Sequence, residues 1–317
     1  MRSEDLTFYS DGERVSGTLH LPDQPEGAPA GGIVHGPGFL GLKDAKHYLR
    51  IYERFTGAGY AVLAFDYRGF GASEGERGLL LPSRQVEDIR NAITYMQTRP
   101  EVDPNRIGLF GLGGTGGGNA VYVAAVDPRV ACVACYIGIG NGREWLRAMR
   151  REYEWLDFLS RLAEDRKQRA LTGKGEFVDP RFEIMVETPE RKASMLKKAV
   201  DQKIPETIPL RCAEAIMDFS PEDVVHRISP RASLFICIEN DPVTPEEQTY
   251  RMYERAGDPK KLVVLRGTTH YGAYDDSFEE IVKPTLDWYH RYLTYDRVRV
   301  LSSTQPSAFS DQHGRET

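Results

Sequence analysis

Six short, largely apolar runs recur along the chain, at Gly31–His35, Tyr60–Asp66, Arg106–Phe110, Val130–Ile137, Ser233–Ile238 and Lys261–Arg266. Each has the length and residue types of a strand buried on both faces. Helix-compatible segments separate them. Val86, Ile89, Ile93 and Met96 recur at three- and four-residue steps and mark one amphipathic helix. Thr244-Pro245-Glu246-Glu247 reads as a capping box with proline at the first helical position. Leu6–Tyr9 and Val15–Leu21 form an opening pair of strands. Crossover helices between buried strands call for a doubly wound, mostly parallel sheet in an α/β fold.

One interval breaks the alternation. Between Gly140 and about Ser229 no strand pattern appears, and Leu146, Met149, Tyr153, Leu156 and Ala163 trace a helical stripe. We therefore expect a core made of residues 1–140 and 230–301, a helical cap insertion at 141–229, and a flexible C-terminal tail at 302–317, which is polar and aperiodic. Arg143, Arg147, Arg150 and Arg151 in the cap are interleaved with Glu152, Glu154, Asp157 and Glu164, the pattern of a solvated helix face rather than an anion site. Trp145, Tyr153 and Trp155 are the aromatic candidates for lining a pocket beneath it, although such a stripe also serves packing.

Composition narrows the function classes. Lys and Arg number 41 against 47 Asp and Glu, a formal charge of −6, which argues against a general nucleic-acid binder. The acidic start Met-Arg-Ser-Glu-Asp-Leu-Thr lacks a signal peptide's charged head and apolar run, and no apolar stretch approaches the ~18 residues of a membrane span. A soluble cytoplasmic protein is expected, taking a small-molecule substrate, with no nucleic-acid or membrane partner and a homodimer as the one association left open. Cys132 and Cys135 have C-x-x-C spacing, but on a strand an i, i+3 pair points to opposite faces, so neither a metal clamp nor a local disulfide forms easily. No cofactor or metal is implied, since neither paired histidines nor clustered carboxylates occur at ligand spacing.

After the strand at Arg106–Phe110 comes Gly111-Leu-Gly-Gly-Thr-Gly-Gly-Gly118 and then a helix-compatible stretch. Such a turn can cradle phosphates or mount a nucleophile. It lacks the Lys-Ser/Thr of a P-loop and follows several strands instead of opening the first strand–helix unit, so the nucleophile elbow is favoured. Asp241 lies just past the end of a buried strand, and His270 sits on a glycine-bracketed loop after the next. The order elbow, Asp, His is that of a hydrolase triad.

With these features, and with Val34-His-Gly-Pro-Gly-Phe-Leu-Gly41, Phe65-Asp-Tyr-Arg-Gly-Phe-Gly-Ala-Ser73 and Val102-Asp-Pro-Asn-Arg-Ile107, the sequence resembles the α/β-hydrolase superfamily from Leu6 to Leu293. Within it, the likeness is to the bacterial dienelactone-hydrolase-like and acetyl-esterase-like branch. The resemblance implies that the loop after Val34 supplies an oxyanion donor. Pro37 has no N–H, so the donor is Gly38 or Phe39, joined by the N–H of Gly114. It also implies a structural role for His35 and a loop held by a charged pair for Asp66 and Arg68.

The family pattern G-x-S-x-S/G-G aligns its serine with Gly113, which has no side chain. The only hydroxyl in the loop is Thr115, which would emerge from the first helical turn and is a weak alternative nucleophile. A glycine substituted for a natural serine would leave the same pattern. What remains is an Asp241–His270 base beside an oxyanion hole, suited to direct water attack on an ester-type carbonyl. Lyase, decarboxylase or isomerase chemistry with the same base, and a silent ligand-binding or scaffold protein, are the alternatives.

Overall fold

The computed structural model describes residues 1–23, 29–189, 192, 204–274 and 277–293. The expected tail at 302–317 lies outside them. Among the described residues, one eight-stranded sheet organises the chain, in the order β1 (Arg2–Ser10), β2 (Glu13–Leu21), β4 (Tyr60–Phe65), β3 (Ala30–Gly36), β5 (Val102–Leu112), β6 (Val130–Tyr136), β9 (Ala232–Ile238), β10 (Lys260–Leu265). The first two strands pair antiparallel and β2 runs antiparallel to β4; every later pairing is parallel. All six apolar runs seen in the sequence lie in this sheet.

Alternation along the strands builds two apolar layers. On one face Ile33, Val62, Ala134 and Tyr136 pack with Tyr52 and Phe55 of α1 (Lys46–Gly57) and with Ile281 and Tyr289 of the C-terminal helix. On the other, Val34, Leu63 and Val133 pack with Ile89 and Ile93 of α2 (Pro82–Gln97) and Val121 of α3 (Gly114–Val126). Helices on both faces of a mostly parallel sheet make this the doubly wound α/β-hydrolase fold. The C-x-x-C pair obeys the same alternation. Cys132 belongs to the first layer and Cys135 to the second, and both are free, buried thiols.

Between β6 and β9 the chain forms α4 (Gly142–Ala148), α5 (Glu152–Thr172) and α6 (Arg211–Met217), with a two-residue antiparallel pair, β7 (Phe177–Val178) and β8 (Ile208–Pro209), which the sequence pattern did not reveal. The expected continuous stripe is out of phase. Tyr153 and Leu156 are exposed, while Trp155, Phe158 and Leu162 form the buried side of α5. The chain breaks between α4 and α5, where Arg150 donates to the carbonyls of Leu146, Glu183 and Ile184 at 2.9, 2.8 and 2.7 Å. Its guanidinium lies 3.9 Å from the centre of the Phe158 ring. Arg150 is thus a structural tie and not part of a solvated face, and burial pulls its pKa down to about 10. Among the described residues, no helix is long and apolar enough to cross a membrane.

The helix α7 (Glu246–Arg255) starts one residue later than the sequence implies. Pro245 is its N-cap, and the buried Thr244 hydroxyl has no hydrogen-bond partner among the described residues, so no Thr244 capping box forms. The last described helix, α8, spans Phe278–Tyr292. Asp66 and Arg68 do not pair with each other. Asp66 accepts the N–H groups of Lys43 and Ala72, while Arg68 Nε meets Asp88 Oδ1 at 2.5 Å in the interior.

Candidate active site

The turn between β5 and α3 consists of Gly113 alone. Its φ of 80° and ψ of 161° lie in a region that essentially only glycine occupies. Its N–H donates to the Tyr136 carbonyl at 3.0 Å, and its own carbonyl accepts from Gly117 N–H at 2.7 Å. The neighbouring glycines serve close packing. A Cβ on Gly117 would stand 2.5 Å from Gly138 Cα, and one on Gly116 would stand 2.9 Å from Gly38 N. Position 113 is different. A Cβ there would meet nothing nearer than Gly38 Cα and Tyr274 Oη, both at 3.7 Å, so the turn has room for a side chain at ordinary contact distance.

Asp241 follows β9 in a turn whose preceding residue, Asn240, takes a left-handed φ of 59°. One carboxylate oxygen accepts the N–H groups of Val243 and Thr244 at 2.8 and 3.2 Å. The other lies 2.8 Å from His270 Nδ1. Both side chains are buried. An imidazole whose Nδ1–H is held by a carboxylate presents Nε2 as the acceptor, the arrangement a general base requires. Tyr274 Oη lies 3.5 Å from that Nε2. The same phenol therefore borders the ring of His270 and the empty position at Gly113.

Tyr274 was not among the residues singled out from the sequence. It closes a 3₁₀ turn, Gly272–Tyr274, four residues after His270. That i, i+4 spacing was the available signal. Burial raises its phenol well above the ordinary value of 10, with Tyr136 and Tyr48 nearby adding to the effect.

The loop after β3 reaches the turn closely enough that a Cβ on Gly38 would stand 2.7 Å from the Leu112 carbonyl. Gly38 does not present a free donor, however. Its N–H donates to Tyr48 Oη at 3.1 Å, and burial keeps that phenol protonated, with its pKa pushed up to about 12. Phe39 and Gly114 remain, with no partner for either N–H among the described residues. Gly114 opens α3, where the first N–H groups have no intrahelical acceptor and carry the positive end of the helix dipole.

Trp145 reaches the site and Tyr153 does not. The Trp145 indole N–H donates to the Val243 carbonyl at 2.8 Å, and its ring would lie 3.3 Å from a Cβ on Gly114. It meets Phe39 edge-on at 6.3 Å between ring centres. Tyr153 is 58% exposed on α5, and Trp155 packs against Phe158. Thr115 is fully buried, and among the described residues its hydroxyl has no hydrogen-bond partner, His270 included. His35 is buried with Nδ1 2.9 Å from the Phe110 carbonyl, and burial lowers its pKa to about 4. Among the described residues, no group of three or more His, Cys, Asp or Glu side chains is arranged to hold a metal ion.

A family model described as serine aminopeptidase, S33, matches residues 33–276. An uncharacterized 31.7 kDa protein of Escherichia coli is 29% identical over 294 residues, covering 91% of this chain and 99% of its own length. The quorum-quenching protein AidA of Acinetobacter baumannii is 28% identical over 294 residues, covering 90% of this chain and 94% of its own length. Among solved structures, the α/β hydrolase GrgF from Penicillium superposes with a TM-score of 0.79 at 24% identity, over 93% of this chain and 100% of GrgF.

Proposed function

The chain belongs to the family described as serine aminopeptidase, S33, and from that premise we propose a hydrolase-like enzyme that cleaves a small ester- or thioester-type carbonyl compound by direct attack of water. His270 is the general base, and Asp241 fixes its tautomer. The N–H groups of Phe39 and Gly114 receive the developing oxyanion. The insertion at 141–229 acts as a cap over the substrate, with Trp145 as its contact to the turn. Gly38 shapes the oxyanion loop and donates to Tyr48 instead of the substrate.

The observation that carries this reading is the juxtaposition of a held imidazole with a turn that bears no side chain and has room for one. Space lost by a hydroxymethyl is space for water. The glycine-only backbone at 113 supports glycine as the residue suited to this turn.

The test is turnover of short-chain aryl esters and thioesters by the unchanged protein, His270→Ala and Asp241→Asn. Hydrolysis without a pre-steady-state burst, without labelling by a fluorophosphonate, and reduced about 10²–10⁴-fold in the His270 variant is expected. Unchanged turnover in that variant removes the base assignment. Products formed without addition of water point to a lyase using the same pair.

A further inference from the structure

Hydrolysis by water without a covalent intermediate moves two protons. One leaves the attacking water, and one must reach the departing oxygen or sulfur atom. We propose that Tyr274 is a catalytic residue that donates the second proton while His270 takes the first, an inference that rests on His270 being the base.

The geometry puts the phenol where this task is done. Tyr274 Oη is 3.5 Å from His270 Nε2 and 3.7 Å from the Cβ position of Gly113. That position is 3.7 Å from the phenol oxygen, so an atom standing about 1 Å nearer to the phenol comes within the ~2.5–3.0 Å reach of an O–H···O hydrogen bond. The ring is held in place by His47 at 5.1 Å, by Tyr136 edge-on at 6.1 Å and by His270 edge-on at 5.8 Å. The turn that carries it is fixed by Ala273 N–H donating to the Thr269 carbonyl at 3.0 Å. Burial favours the protonated phenol, so Tyr274 enters the reaction as a donor.

The steps balance. The water oxygen bonds to the acyl carbon as His270 Nε2 takes one water proton, and the carbonyl π pair moves onto the carbonyl oxygen. That pair then re-forms the carbonyl as the bond from the acyl carbon to the leaving atom breaks, the electron pair of the broken bond goes to the leaving atom, and the phenolic proton follows. The imidazolium returns its proton to the phenolate across the 3.5 Å between them. One water is consumed, a carboxylic acid and a protonated leaving group are released, and both side chains are restored.

The experiment compares ethyl acetate, whose alkoxide must be protonated to leave, with p-nitrophenyl acetate, whose phenolate need not be. Tyr274→Phe and His270→Ala are assayed beside the unchanged protein, with thermal unfolding as the check on folding. Tyr274→Phe is expected to lose about 10²-fold or more on ethyl acetate and no more than about threefold on the nitrophenyl ester. His270→Ala is expected to lose both activities. Equal loss on the two esters, or none on either, overturns the donor role while an inactive His270→Ala leaves the base standing. Retained turnover in His270→Ala, or no turnover by the unchanged protein, overturns the base and the donor together.

Discussion

Replacing Gly113 by alanine separates backbone strain from crowding at the turn. A non-glycine residue held at its φ of 80° and ψ of 161° carries about 1–3 kcal/mol of strain. Crowding adds nothing, because the nearest atoms to the new Cβ are 3.7 Å away. A stiffer unfolded chain returns about 0.4–1 kcal/mol, which leaves a net loss of roughly 1–2 kcal/mol. With about 2.1 cal/mol/K of unfolding entropy per residue, 317 residues give about 0.67 kcal/mol/K, so the Tm falls by about 1.5–3 °C. Serine at the same position lowers the Tm by a similar amount. Gly57 supplies the internal control, since it ends α1 with no left-handed φ and nothing within 4 Å of an added Cβ. Gly57→Ala raises stability by about 0.4–1 kcal/mol. Thermal unfolding of both variants is the assay. A shift of the same sign at the two positions refutes the assignment of strain to residue 113.

Two further predictions concern stability. His35 is buried with its pKa lowered to about 4, whereas the unfolded chain titrates near 6.5. Between those values the unfolded state binds the extra proton, so stability is full above about pH 6.5 and falls by up to about 3 kcal/mol as pH drops to 4. Urea unfolding should show a smaller loss between pH 7 and 4 in His35→Phe, and an identical loss in both proteins would refute the reasoning. Asp88→Asn breaks the interior pair with Arg68, whose side chains are 1% and 2% exposed, but Arg68 keeps Asp11 at 2.8 Å, so the loss should be about 1–3 kcal/mol. A loss below about 1 kcal/mol, the range of surface pairs, would mean that Arg68 is satisfied without Asp88.

The sheet was legible because its inner strands β3, β4, β6 and β9 are buried along their whole length, which leaves short apolar runs bounded by turn residues. Asp241 and His270 were legible for a related reason, since each follows directly on one of those runs, where parallel sheets collect functional groups. Contacts set by side-chain reach were not. The Tyr48 hydroxyl that occupies Gly38 lies ten residues away on the first helix, and Arg68 reaches across twenty residues to Asp88 instead of two to Asp66. In the segment between β6 and β9, the half-buried guanidinium of Arg150 sits at the break between α4 and α5, bonded to the Glu183 and Ile184 carbonyls, and α5 starts in a new phase. Periodicity read across that break assigned Tyr153 and Leu156 to the wrong side. The spacing of Tyr274, four residues after His270, becomes informative only once the 3₁₀ turn at Gly272–Tyr274 folds it back.

The strands that carry Asp241 and His270 are immediate neighbours, with Ile238 registered against Leu265, while the glycine turn comes from β5, beyond β6. The spacing of carboxylate and imidazole is thus fixed by one ladder of main-chain bonds and owes nothing to the residue at 113. A fold arranged in this way keeps the carboxylate and the imidazole together whichever residue stands at the glycine turn, so a substitution at 113 alters the turn without unseating the pair.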